Sequence, residues 1–112
     1  MASNIDINAS FGGRAPALDF ETLQVAVRRI AMYGTIWETK HSAVDRGYRN
    51  VSQDDILALL EGDWKLAGEP EWDEFHRNWK YKVAGLDIDG DDLTLVIAVN
   101  VEMQRIDVIT KF

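Results

Sequence analysis

Trp79-Lys80-Tyr81-Lys82-Val83-Ala84-Gly85, Leu93-Thr94-Leu95-Val96-Ile97-Ala98-Val99 and Arg105-Ile106-Asp107-Val108-Ile109-Thr110 are three β-rich runs, and their reading decides the fold. The first alternates Trp79, Tyr81 and Val83 with Lys80, Lys82 and Ala84, the period of two of a strand with one buried and one wet face. The second is apolar almost throughout and rich in β-branched residues, which suits a central strand covered on both faces. The third returns to alternation and ends the chain. Asp89-Gly90 separates the first two runs, and Asn100 to Gln104 the last two, so both joins are short enough for hairpins. The expected core of the fold is therefore a three-stranded antiparallel meander. One face needs a cover, and any chemistry belongs to the other.

The segments before it read as that cover. Asp19 is suited to an N-cap, Phe20, Leu23, Val27 and Ile30 recur at steps of three and four, and Gly34 follows as a stop, predicting a helix over 19–33. Ser52-Gln53-Asp54-Asp55 is a capping box with Asp in place of Glu, and Ile56, Leu57, Leu59 and Leu60 lead to Gly62, predicting a second helix over 52–61. Between them, Thr35 to Lys40 can open a strand or lie beside one, and His41 to Arg49 reads as a short helix. Trp64 to Ala67 is expected as a short edge strand. Gly68 to Asn78, with Pro70 and mostly negative charges, reads as an exposed loop, mobile in the free protein and ordered by a basic partner. Helices first and an antiparallel sheet last define an α+β class. Residues 1–17, with Gly12, Gly13 and Pro16, are expected as a flexible arm, and 18–112 as one domain.

Composition narrows the function. The chain has 112 residues, no cysteine and a formal charge of −7. Without cysteine there are no disulfides, thiolate chemistry or cysteine zinc sites. No apolar run reaches the roughly 18 residues of a membrane span, and no signal pattern opens the sequence, so a cytoplasmic location is the expectation. The first 60 residues hold six Lys/Arg against seven Asp/Glu, and the remaining 52 hold six against twelve. The excess lies in Glu61 to Glu74 and Asp87 to Asp92. That acidity suits solvation or docking of a basic partner, and it weighs against strong binding of free nucleic acid, which leans on Lys and Arg.

Motifs exclude more than they assign. Asp87-Ile88-Asp89-Gly90-Asp91-Asp92 fails as a calcium loop: its glycine comes fourth rather than sixth, and Ala98 stands where a bidentate carboxylate is required. It reads as a hairpin turn. Phosphate-binding glycine loops, nucleophile elbows and zinc-protease motifs are absent, and two histidines without cysteines make a poor metal set, so neither metal nor cofactor is expected. His41 and His76 are the side chains able to carry a proton near neutral pH. His76 lies in the acidic segment and reads as a surface residue. His41 opens its helix in a locally basic stretch; Arg49 falls about 80° from it around that helix and Arg46 about 140°. Lys80 and Lys82 share the wet face of the first strand. His41 as acid or base, Lys80, Lys82, Arg46 and Arg49 as phosphate binders and Thr110 as a supporting hydroxyl would make a set able to cleave RNA by 2′-hydroxyl attack, without a metal.

The run His41-Ser42-Ala43 through Arg49-Asn50-Val51-Ser52-Gln53-Asp54-Asp55-Ile56 resembles the opening of the family called DUF4258. Tyr81 to Leu93, Val96 to Val99 and Val108 to Phe112 match its second part, so the resemblance spans about residues 38–112. It implies a RelE-like or barnase-like fold (the BECR class), a ribonuclease toxin with an RNA substrate, and a cognate antitoxin protein as partner. Two positions depart from the pattern. Asp45 stands where the family often has Arg, with Arg46 one along, and Asn50 replaces the usual Gly. A non-catalytic protein-binding module of the same fold is the alternative, favoured by Asp45 and by the net charge.

Overall fold

A computed structural model describes residues 15–39 and 51–112. Within them the chain forms helix α1 (Phe20–Tyr33), strand β1 (Thr35–Glu38), helix α2 (Gln53–Glu61), and strands β2 (Lys65–Leu66), β3 (Glu71–Asp73), β4 (Asn78–Leu86), β5 (Asp92–Asn100) and β6 (Arg105–Lys111). The sheet runs β1-β6-β5-β4-β2, with β3 pairing β4 beside β2. The expected meander is present: β4, β5 and β6 are successive antiparallel neighbours, and β5 lies in the middle.

Both helices start as their caps dictate. Asp19 Oδ1 accepts from Thr22 N at 2.7 Å, and Ser52 and Asp55 complete the reciprocal capping box. From α1, Leu23, Val27 and Ile30 are buried; from α2, Ile56, Leu59 and Leu60. They cover the sheet face made by Tyr81, Val83, Leu93, Leu95, Ile97, Ile106 and Val108. Trp64, just before β2, is fully buried there, with the Phe20 ring edge-on at 5.4 Å. The short strand expected over 64–67 is thus Lys65–Leu66, and Trp64 belongs to the core.

Two expectations need correction. The sheet is mixed rather than purely antiparallel, because β1 joins β6 in parallel. Gly34 makes this possible. Its N–H ends α1 on Ile30 O, and Thr35 N then bonds Gln104 O at 2.9 Å, which turns the chain straight onto β6. A Cβ at Gly34 would fall on the Gln104 carbonyl oxygen. Secondly, Gly68 to Asn78 is no open loop: Glu71–Asp73 pairs with Asn78–Lys80. Trp72 packs edge-on against Trp79 at 5.4 Å, and Asp73 Oδ1 accepts from Phe75 N and His76 N, closing the turn. The contact of Trp72 with Trp79 holds as a strand a segment whose Pro70 and charges read as a loop.

Of the expected arm, residues 1–14 lie outside the described residues, but Ala15 to Leu18 are tied down. Ala15 O accepts from Trp79 Nε1 at 2.7 Å, and Leu18 N donates to the Tyr81 hydroxyl at 2.9 Å. Among the described residues no helix is long and apolar enough to cross a membrane.

Two substitutions test this packing. Ile97→Ala removes a fully buried side chain from β5 and is expected to cost about 2–5 kcal/mol, read from the urea midpoint. Gly34→Ala is expected to cost about 1–3 kcal/mol, because the added methyl forces the α1–β1 corner away from the β5–β6 turn. An unchanged midpoint for the second would show that the corner does not depend on that close approach.

Candidate functional site

Cross-strand register decides which side chains share the face left open by the helices. Lys82 lies opposite Val96, and Val96 opposite Thr110. Directly paired residues point to one face, so Lys82 and Thr110 flank Val96 on the open side. Their meeting depends on a bulge. Val108 pairs with Ile97, but Val96 pairs with Thr110, so Ile109 is the extra residue. Unbroken alternation from Val108 would have sent Thr110 into the core and Ile109 outward. The bulge turns Thr110 to the open side and carries Lys111 to the helix side. There its Nζ bonds Glu38 Oε2 at 2.8 Å and reaches Val51 O at 3.4 Å.

Lys82 is exposed, with its Nζ 5.6 Å from the centroid of the Phe112 ring. Lys80 shares the face and is differently employed. Its side chain is only 15% exposed, and its Nζ lies 2.8 Å from Asp73 Oδ2. One row further, Lys80, Ala98, Asp107 and Trp37 lie side by side across four strands. Asp107 is held by Arg105 Nε at 2.8 Å, and the Arg105 guanidinium lies 4.7 Å from the centroid of Trp37.

His41, Arg46 and Arg49, the remaining expected site residues, lie outside the described residues. The residues that border them are described. Thr39 N donates to Val108 O at 3.0 Å and Thr39 Oγ1 to Ile109 O at 3.4 Å. Val51 O is met by Lys111. The chain therefore leaves the described structure beside Ile109 and returns beside Lys111, on either side of Thr110 in the sequence.

Sequence reading missed a second constellation. His76 Nδ1 lies 2.7 Å from Asp73 Oδ2, the same oxygen that takes Lys80. Lys80 above all, then the His76 backbone N–H and the His76 ring, hold the Asp73 carboxyl well below the ordinary carboxylate range. The signal was Asp three residues before His across a turn, where an Asp side chain folds back on the backbone. At the opposite end of the sheet the Asp55, Asp87 and Asp89 carboxylates gather within 4.8 Å. Two are committed to backbone: Asp87 Oδ1 accepts from Asp89 N and Asp91 N, and Asp55 serves the cap and Ile88 N. The segment is the hairpin turn expected, with Gly90 at φ 86°. Tyr81, whose hydroxyl meets Leu18 N, has its pKa raised by burial.

Comparisons with protein-family models, with curated proteins and with solved structures found no match for this chain.

The Asp73 cluster has a pH signature. A carboxyl depressed on folding contributes stability that is complete above its unfolded value, 3.8, and is lost as pH falls through the folded one. The gap in urea midpoint between the native chain and Asp73→Asn is therefore expected to close progressively as pH falls below about 4. A gap that stays fully open on further acidification would show that the Lys80 and His76 contacts do not set this carboxyl.

Proposed function

We propose that this chain is a toxin-like endoribonuclease that cleaves RNA by acid–base chemistry, with a cognate antitoxin protein as its partner. The observation that carries the reading is the pairing of Lys82 and Thr110 across Val96 on the open face. Thr39, the last described residue before His41, bonded to Ile109 beside them, adds to it. The pattern shared with DUF4258 over residues 38–112 supports the same reading and, with it, a RelE-like fold. In this scheme the attacking 2′-hydroxyl loses its proton and the 5′-oxygen leaving group gains one. His41 is the proton carrier, since histidine is the side-chain type suited to proton transfer near neutral pH. Lys82 offsets charge growing on the phosphate, helped by Arg49 and Arg46, and Thr110 donates a hydrogen bond to a phosphate oxygen. Lys80 is engaged by Asp73 and takes no direct part.

His41→Ala is expected to lower the single-turnover cleavage rate of a short RNA by about 10²–10⁴ and to leave the unfolding midpoint unchanged. Lys82→Ala is expected to lose about 10²–10³. Cleavage equal to native by His41→Ala would remove that residue from the chemistry.

A protein-binding module that has lost the chemistry is the second reading. It is favoured by the neutralisation of Lys80 and Arg105 by Asp73 and Asp107, and by the −7 charge. Purified protein that cuts no RNA, yet binds a basic protein with salt-sensitive affinity, would decide for it.

A further inference from the structure

The pairing of β4 with β5 ends at Lys80 and Ala98, although β4 begins two residues earlier and β5 continues two residues further. Past that pair the strands part, and a groove of about 480 Å³ opens at the end of the sheet. The turns on either side are built alike. Asp73 accepts from Phe75 N and His76 N in one, and Asn100 Oδ1 from Met103 N in the other. Each ends on a residue with positive φ, Arg77 at 54° and Gln104 at 50°. Trp72, Arg77, Asn78, Asn100, Arg105 and Asp107 are among its lining.

Two features select an occupant. The Asn78 amide oxygen is buried and has no hydrogen-bond donor, so it carries a desolvation penalty that an N–H from a ligand would remove. The guanidiniums are already met by carboxylates: Arg77 Nη1 lies 3.6 Å from Glu74 and Arg105 Nε 2.8 Å from Asp107. A phosphate seeks unneutralised cations and gains little here. A flat, neutral heterocycle with N–H groups on its edge gains a partner for Asn78, since an amide pairs with a base edge through donor and acceptor together. It also gains a stacking surface in the Arg77 guanidinium, itself 5.8 Å from the Trp72 centroid and 56% exposed.

We infer that this groove is a nucleobase-binding subsite in which the Asn78 amide reads the base edge. The inference rests on the RNA-cleaving reading and names how that substrate is gripped. Asn78 alternates along β4 with Lys80 and Lys82, and so shares their face at about 13 Å from Lys82, within reach of a neighbouring nucleotide of the same strand.

The test is an NMR titration of the full chain with adenosine, cytidine, guanosine and uridine 5′-monophosphates, and with ribose 5-phosphate. At least one nucleotide is expected to shift the Asn78 side-chain amide and the Arg77 and Asn100 backbone signals, and ribose 5-phosphate none of them. Asn78→Ala is expected to weaken that nucleotide at least about fivefold. Equal shifts from ribose 5-phosphate, no shift from any nucleotide, or unaltered affinity in Asn78→Ala would each overturn the subsite. Should Asn78→Ala fail to fold, the titration of the native chain alone decides. Base binding without RNA cleavage would keep the subsite and sink the ribonuclease; cleavage lost in His41→Ala without base binding would do the reverse.

Discussion

Burial of β5 is the constraint on which the rest of the structure depends. It is hydrogen-bonded along both edges, to β4 and to β6, and Leu93, Leu95 and Ile97 stand beneath the two helices with almost no exposed area. Burying apolar surface is the main favourable contribution available to a domain of this size, and here it concentrates on that strand. The helices dock where their apolar stripes meet these side chains. Tyr81 and Val83 of β4, and Ile106 and Val108 of β6, complete the same surface. β1 and β2 are short and peripheral; β2 follows the buried Trp64, and β1 is placed by the close approach of Gly34 and Thr35 to Gln104.

The other face obeys a different rule. With no helix from the described residues upon it, its charges have been matched in pairs rather than removed. Asp73 takes Lys80 and His76, and Asp107 takes Arg105. Such pairs contribute modestly to stability when exposed, but they fix side-chain positions. They also leave Lys82 as a cation on this face whose described neighbour is an aromatic ring rather than a carboxylate. Net acidity and a phosphate-binding role are therefore compatible, since the relevant quantity is local charge and not the sum over the chain.

Much of the fold was legible in the chain. The change from helical to alternating periodicity near Trp79, the caps at Asp19 and Ser52, and the apolar run Leu93 to Val99 locate both helices and the meander to within a residue or so. These signals are local, because each reflects how one element buries its own apolar side. Less of the site was legible. That Lys80 and Lys82 share a face follows from alternation. That Lys80 is consumed by Asp73 does not, because the partner comes from a strand read as a loop.

What the sequence determined by itself is the set of elements and their buried faces, since propensity, capping and periodicity act within a few residues. What only the tertiary structure decided is register and pairing across distance. The parallel junction of β1 with β6 needed the close approach of Gly34 to Gln104. The strand at Glu71–Asp73 needed Trp79 to receive Trp72. The position of Thr110 needed the bulge at Ile109: by alternation it belongs with Val108 in the core, and one extra residue turns it to the face of Lys82. A period of two makes every strand residue depend on register, and register is set by the partner strand rather than by the strand itself.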